Sequence, residues 1–256
     1  MLSHKITGNG PPLLLIHGWG VSYTIWRNLV PLLEEHFKLI MIELPGIGDS
    51  PALASTLLYY PASAEEIERL RQELHIEQWA ILSYSVGTRV GEAYIQRYPD
   101  RVTRAVFLCP LYLPWWSSLG LRFARWLDKL SPRLTNWILS GWRLRRLILL
   151  LGFNGRPHEY ANEWQKEIEL QNKDSLKRKL YQLPGLGRVP FAMLTETSLF
   201  VWGHQDVLTA RPRHPRSNDV FIPAHHGAPM LAAQYVAEKV IPFLLGEGRD
   251  FTIPSP

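Results

Sequence analysis

The sequence has a single cysteine, Cys109, among 256 residues. A disulfide framework needs a pair of thiols and a thiolate metal cluster needs several, so both are excluded; a lone thiol suits a reducing compartment. Long apolar runs are missing as well. The first, Leu13-Leu14-Leu15-Ile16, ends at His17 and is too short for a signal peptide. Nowhere does the chain reach the roughly 20 apolar residues of a membrane-spanning helix. Charge is sparse, 20% of residues against 46% apolar, with ten Trp, ten Tyr and nine Phe. Such a chain can bury a large core, which excludes disorder for most of it. No internal repeat or low-complexity tract occurs. What remains is a soluble globular protein, expected in the cytoplasm, built as one large domain or as a core domain with one insertion.

Charge of one sign is concentrated. The net charge is +5 overall, yet the stretch from Pro110 to Pro184 holds 13 Lys+Arg against 6 Asp+Glu. The rest of the chain is slightly acidic. A basic patch attracts phosphate-bearing or acidic partners, while a solvated helical face is the plain alternative. Nucleic acid is disfavoured, because the excess charge sits in an oily segment with no recognisable nucleic-acid module.

Seven short runs read as strands: Ser3 to Thr7, Leu13 to Ile16, Phe37 to Glu43, Trp79 to Ser83, Arg104 to Leu108, Ser198 to Trp202 and Asp219 to Ile222. Several are continuously apolar, as strands buried on both faces are. Helical periodicity covers Ile25 to Phe37, Ala64 to Leu74 behind Ser63 as N-cap, Val86 to Tyr98, and Ala232 to Leu245, where Pro242 is expected to kink or shorten the helix. This alternation predicts an α/β fold with a mainly parallel sheet covered on both faces. From Pro110 to Pro190 the rhythm breaks into helical pattern alone, with Pro110, Pro114, Pro184, Gly185, Gly187 and Pro190 as punctuation. The expected organisation is a core of residues 1–109 and 191–256 with a helical lid of residues 110–190.

Four segments carry chemistry. In Leu82-Ser83-Tyr84-Ser85-Val86-Gly87 a strand turns sharply into a helix, and Ser85 sits on the turn. Small residues must flank a serine there, and the hydroxyl then projects above the sheet as a nucleophile. In His17-Gly18-Trp19-Gly20, after a buried strand, a glycine-rich turn leaves backbone N–H groups open. The Trp19 N–H with that of Val86 would form an oxyanion hole, and His17 reads as a residue holding the loop. Asp206, just past a strand end in Trp202-Gly203-His204-Gln205-Asp206, is placed to orient an imidazole. The loop Pro223-Ala224-His225-His226-Gly227 offers two bases, His226 first and His225 as alternative. No His-x-x-x-His spacing exists, so no metal or other cofactor is expected.

The order Ser85, Asp206, His226, with the loop Leu44-Pro45-Gly46-Ile47-Gly48-Asp49-Ser50, resembles the α/β-hydrolase superfamily over nearly the whole chain. Within it the sequence resembles the pimeloyl-acyl-carrier-protein methyl ester carboxylesterases of biotin synthesis. That resemblance implies a Ser-His-Asp esterase working through an acyl-enzyme on a small-molecule or carrier-linked ester. It also implies an acyl-carrier protein as partner, and an anionic lipid is the alternative at the basic lid, through Arg143, Arg145 and Arg146. Trp115, Trp116, Trp126, Trp137 and Trp142 are expected to line an apolar acyl pocket. Three positions depart from the family pattern. Ser83 stands where a glycine is usual, the histidine falls one residue early relative to Pro229, and only twenty positions separate Asp206 from His226. A thioesterase, a lipase-like or carbon–carbon bond hydrolase, and a non-catalytic binder of the same fold are the alternatives.

Overall fold

The computed structural model describes residues 1–112, 115–153, 155, 158–185 and 197–247. Seven strands form one sheet: β1 (His4–Thr7), β2 (Pro12–Ile16), β3 (Lys38–Ile42), β4 (Trp79–Tyr84), β5 (Val102–Leu108), β6 (Ser198–Gly203) and β7 (Asp219–Ile222). Every strand predicted from the sequence is present, with ends shifted by two residues at most. Their order is β1-β3-β2-β4-β5-β6-β7, and all pairings are parallel except that of β1 with β3. Strands β4 and β6 are buried at every residue and β2 at all but its first, which is why they are written as unbroken apolar runs. The edge strand β1 exposes Lys5 and Ile6 instead.

Helices α1 (Val30–Leu33), α2 (Tyr59–Glu73), α3 (Val86–Arg97), α9 (Ala228–Leu231) and α10 (Ala233–Leu245) flank the sheet, with α3 against β2, β4 and β5 and α10 against β5, β6 and β7. Between β5 and β6 the chain forms α4 (Trp115–Leu130), α5 (Pro132–Ile138), α6 (Gly141–Phe153), α7 (Tyr160–Leu170) and α8 (Lys173–Gln182), and no strand among the described residues. The expected boundary at residues 190–191 lies outside the described residues. So do Pro114, Gly187 and Pro190, and the side chains of Trp115, Trp116 and Leu151.

Three local expectations are corrected. Ile25 to Phe37 is not one helix but a 3-10 turn at Tyr23–Trp26 followed by the short α1. Pro31 explains the break, since in a continuous helix its ring would meet the carbonyl of Arg27. Ser63 does not cap α2, which starts four residues earlier at Tyr59; its hydroxyl donates to the Tyr59 carbonyl within the helix. Pro61 fits that first turn, where its missing N–H costs nothing, and Gln182 Oε1 accepts from the Tyr59 N–H at 2.7 Å. Pro242 lies inside α10 without shortening it, and Gly246, left-handed at φ 83°, closes the helix.

Candidate active site

The chain runs from β2 outward to β3 and then returns past β2 to β4, so the sheet order reverses where β2 and β4 lie side by side. In an open α/β sheet the crevice beyond the strand ends at such a point is where ligands bind. The loop His17–Gly20 leaves β2 there, and Ser85 leaves β4 beside it. Ser85 has φ 53° and ψ −125°, a strained conformation for a residue with a Cβ. Its N–H donates to the Leu108 carbonyl at 3.0 Å, and its carbonyl accepts from the N–H and hydroxyl of Thr88, at 3.0 and 2.6 Å. These bonds fix the turn and leave Oγ projecting.

Gly87 is required by close approach: a Cβ there would lie 2.3 Å from the His17 carbonyl oxygen, so the β2 loop rests directly on the start of α3. Gly18 abuts Ser85 and Tyr84 in the same way, and Gly20 lines the cavity above. Ser83, the residue in place of glycine, is accommodated by Gly91 on α3. A Cβ on Gly91 would lie 3.3 Å from the Ser83 Cβ, while the Ser83 hydroxyl donates to the Val106 carbonyl at 3.1 Å.

Ser85 Oγ lies 2.8 Å from His226 Nε2, and His226 Nδ1 lies 2.8 Å from Asp206 Oδ2. All three are buried. The imidazole beside Ser85 is therefore that of His226; His225 is half-buried, with Nδ1 3.4 Å from the Gln205 carbonyl. The early position of the histidine is absorbed locally. Tyr84, next to Ser85, donates its hydroxyl to the His226 carbonyl at 2.8 Å, and Gly227 then opens α9. Asp206 also accepts from the Leu208 N–H at 2.9 Å. Burial pushes its carboxyl up, but the facing imidazole and this N–H outweigh burial and hold it below the ordinary carboxylate value.

His17 is fully buried, and burial drops its imidazole to about 3. It is a neutral strut. Nε2 accepts from the Leu44 N–H at 3.0 Å, which leaves Nδ1–H to donate to the Gly18 carbonyl at 2.8 Å. Among the described residues the backbone N–H groups of Trp19 and Val86 have no acceptor, and both residues line the cavity with Ser85. The Trp19 indole is pinned by its own N–H to the Leu176 carbonyl of α8, at 2.9 Å.

The cavity above Ser85 and His226 has a volume of about 410 Å³. Its upper wall comes from the inserted helices: Leu121 of α4, Leu147 and Ile148 of α6, Trp164 and Ile168 of α7, and Leu180 of α8. Of the tryptophans expected there, Trp126, Trp137 and Trp142 are instead exposed on the outer side of the insert, and the side chains of Trp115 and Trp116 lie outside the described residues. Trp19 and Trp164 take their place. Trp164 was overlooked in the sequence, although it shares the buried face of α7 with Ala161 and Ile168 at helical spacing. Arg143, Arg145 and Arg146 lie on α6, and none lines the cavity. The Arg143 guanidinium stacks 3.6 Å from the Trp137 ring centroid, while Arg145 and Arg146 are exposed.

Cys109 completes the surroundings. Its buried thiol lies with ligand atoms of Asp206 and His226 within 4.8 Å of one another. Both imidazole nitrogens already face Ser85 and Asp206, so the cluster is arranged for hydrogen bonding. Burial and the Asp206 charge push the thiol well above its ordinary value, which keeps it protonated and a poor nucleophile.

Residues 11–226 match the family model described as alpha/beta hydrolase fold. The pimeloyl-[acyl-carrier protein] methyl ester esterase of Aeromonas hydrophila subsp. hydrophila is 33% identical over 95 residues, 37% of this chain and 36% of that relative. The esterase of the same name from Aeromonas salmonicida is 23% identical over 93% of this chain and 97% of its own. The first of these alignments thus spans little more than a third of the relative's length. A solved hydrolase structure from Pseudomonas aeruginosa PA01 superposes with a TM-score of 0.79 at 19% identity, covering 95% of this chain and 94% of that one; at that identity it speaks for the fold.

Proposed function

We propose that this chain, which belongs to the α/β-hydrolase family, is a serine carboxylesterase. The observation that carries the reading is the line of hydrogen bonds from Ser85 Oγ through His226 to Asp206, beneath an apolar cavity. In the first half-reaction Ser85 Oγ attacks the ester carbonyl carbon while His226 Nε2 takes its proton. The Asp206 carboxylate holds the imidazole in the tautomer with Nδ1–H, and the carbonyl oxygen gathers charge on the N–H groups of Trp19 and Val86. His226 passes the proton to the departing alcohol, leaving the acyl group on Ser85. Water then gives a proton to His226 and its oxygen to the acyl carbon. The acid leaves and Ser85 recovers its proton.

Residues 1–109 and 191–256 act as the catalytic core, and residues 110–190 as a lid that supplies the acyl-binding wall. No cofactor takes part. The lining favours an aliphatic acyl chain, and the named relatives support the methyl ester of an acyl group carried on acyl-carrier protein, in biotin synthesis. An acyl-carrier protein or an anionic lipid would be met at Arg143, Arg145 and Arg146. A reducing compartment, the cytoplasm, suits the lone Cys109.

The test is intact-protein mass after treatment with a fluorophosphonate probe. One adduct on the wild type, absent in Ser85→Ala and strongly slowed in His226→Ala but not in His225→Ala, is expected. A folded wild type that takes no adduct would end the catalytic reading.

A further inference from the structure

Of the seventeen large apolar side chains that are exposed among the described residues, nine lie between Leu119 and Leu150. On α4 they form a single stripe. Leu119, Phe123, Trp126 and Leu130 recur at intervals of four, three and four, which places them on one side of a helix. Leu121, one of the cavity-lining residues, points the opposite way on the same helix. Exposed α5 and α6 residues, Trp137 and Trp142 among them, extend the apolar area. Contiguous exposed apolar surface of this kind marks an interaction site.

Charge says what covers it. From Trp115 to Phe153 the sequence has seven Lys+Arg and one acid, Asp128. That acid is engaged within the fold, 2.9 Å from Lys177 Nζ and accepting from the Thr135 hydroxyl. At 100° per residue Arg122, Arg125 and Lys129 flank the α4 stripe on one side. Arg145 and Arg146 are exposed on α6, next to Trp142. Leu, Phe and Trp on one face with cations beside them, and no acid within α4, α5 and α6 other than the engaged Asp128, is the pattern of a helix lying in the interface of an anionic bilayer. Tryptophan seats at the headgroup level and the guanidinium groups pair with lipid phosphates.

We propose that the outer face of α4, α5 and α6, opposite the side of α4 that lines the cavity, docks on an anionic lipid surface. The docking extends the esterase reading by naming the partner of the lid, and it rests on that reading only for its purpose: it would hold the enzyme at the surface where esters partitioned in the bilayer are concentrated. The surface itself stands on exposure and charge alone.

Flotation of the purified chain with phosphatidylcholine vesicles containing about one third phosphatidylglycerol tests it. The wild type is expected to float with these vesicles and to stay in solution with phosphatidylcholine alone. Phe123→Ser combined with Trp126→Ser, and Arg145→Glu combined with Arg146→Glu, should each weaken binding by at least about 10-fold. Neither pair should change the melting temperature much, since the four side chains are exposed. No flotation of the wild type, or flotation that neither pair weakens, would overturn the proposal. So would a dimer in sedimentation that Phe123→Ser with Trp126→Ser abolishes, or capture of an acidic carrier protein by a chain that ignores vesicles. Because flotation reads no catalysis, a failed fluorophosphonate reaction leaves this result interpretable.

Discussion

The strand ends and the inserted helices differ in where their polar groups point. Around Ser85 the side chains face inward to named partners: His226 to Asp206, Ser83 to the Val106 carbonyl, Tyr84 to the His226 carbonyl and His17 to the Leu44 N–H. The second half of the insert is tied down in a similar way. Glu167 of α7 lies within hydrogen-bond distance of Ser22 and Thr24, Glu163 pairs with Arg27, and Gln182 caps α2. The first half, α4 to α6, turns cations and large apolar groups outward instead. A single stretch of basic, Trp- and Leu-rich sequence therefore does two jobs. The inner sides of α4, α6, α7 and α8 wall the cavity, and the outer side of α4 to α6 presents a surface. The comparison teaches that chemistry should depend on the strand ends, and selection of the substrate on the helices.

The sharpest way to break this division is Asp206→Asn. An amide at that position holds the imidazole in the wrong tautomer, and kcat is expected to fall by about 10⁴-fold with KM for a short p-nitrophenyl ester nearly unchanged. A variant that keeps kcat and loses affinity would move Asp206 to the binding side of the comparison.

Acid should strike the strand-end side through His17. Its folded-state value is about 3, against an ordinary 6.5. Between those values the unfolded chain binds a proton that the folded chain refuses, so stability is complete above pH 6.5 and falls as pH drops towards 3. The slope from this one group is about 1.4 kcal/mol per pH unit. Carboxylates held low in the fold, Asp206 and Asp219 among them, add to the loss in the same direction. In His17→Gln, which keeps a polar group near the Leu44 N–H, urea unfolding should show a shallower decline across this window. An unchanged slope would mean that the His17 ring is protonated in the fold.

Much of the strand-end half was legible in the sequence, because each signal there has a local cause. Buried parallel strands must be apolar throughout, and the sharp turn at Ser85 must be flanked by small residues. The histidine was narrowed only to two neighbours. The choice of His226 is made by the Tyr84 hydroxyl holding its carbonyl and by α9 starting directly after Gly227, which are contacts across 142 positions of chain and a helix of four residues. The insert was legible as helical and no further. Helix α4 carries apolar residues on two opposite sides, Leu121 on one and Phe123 with Trp126 on the other, and periodicity alone does not say which side meets the core. Tryptophan content pointed to the pocket when most of the tryptophans in question were outside it.

Substrate selection by the insert is sharpened by Gly152→Ala. A Cβ at Gly152 on α6 would lie 2.6 Å from Trp164 Cζ3, so the indole must move, and that indole is part of the cavity wall. Overpacking of this kind costs about 1–3 kcal/mol. It should appear as a drop of about 10-fold or more in kcat/KM for long acyl chains relative to acetate, the expected size of a 1–3 kcal/mol pocket effect. Equal losses on all chain lengths would show that the insert governs the chemistry too.

The smallest expected effect tests whether Ser83 impairs the turn at Ser85. If the serine crowded the turn, Ser83→Gly would release strain and raise the rate. The packing points the other way: Gly91 leaves room for the Ser83 Cβ, and the hydroxyl has the Val106 carbonyl as acceptor. Ser83→Gly is therefore expected to leave the rate within about threefold while costing about 1–2 kcal/mol in urea unfolding, from one lost hydrogen bond and a freer backbone. The partner change is Gly91→Ala, whose Cβ would meet the Ser83 hydroxyl at 3.2 Å. It should cost about 1–3 kcal/mol alone, and less when Ser83 is already glycine. The two sites touch, so their effects should not add. Additive losses would mean that Gly91 answers to something other than Ser83, and a rate increase of tenfold in Ser83→Gly would make the serine a brake on the site.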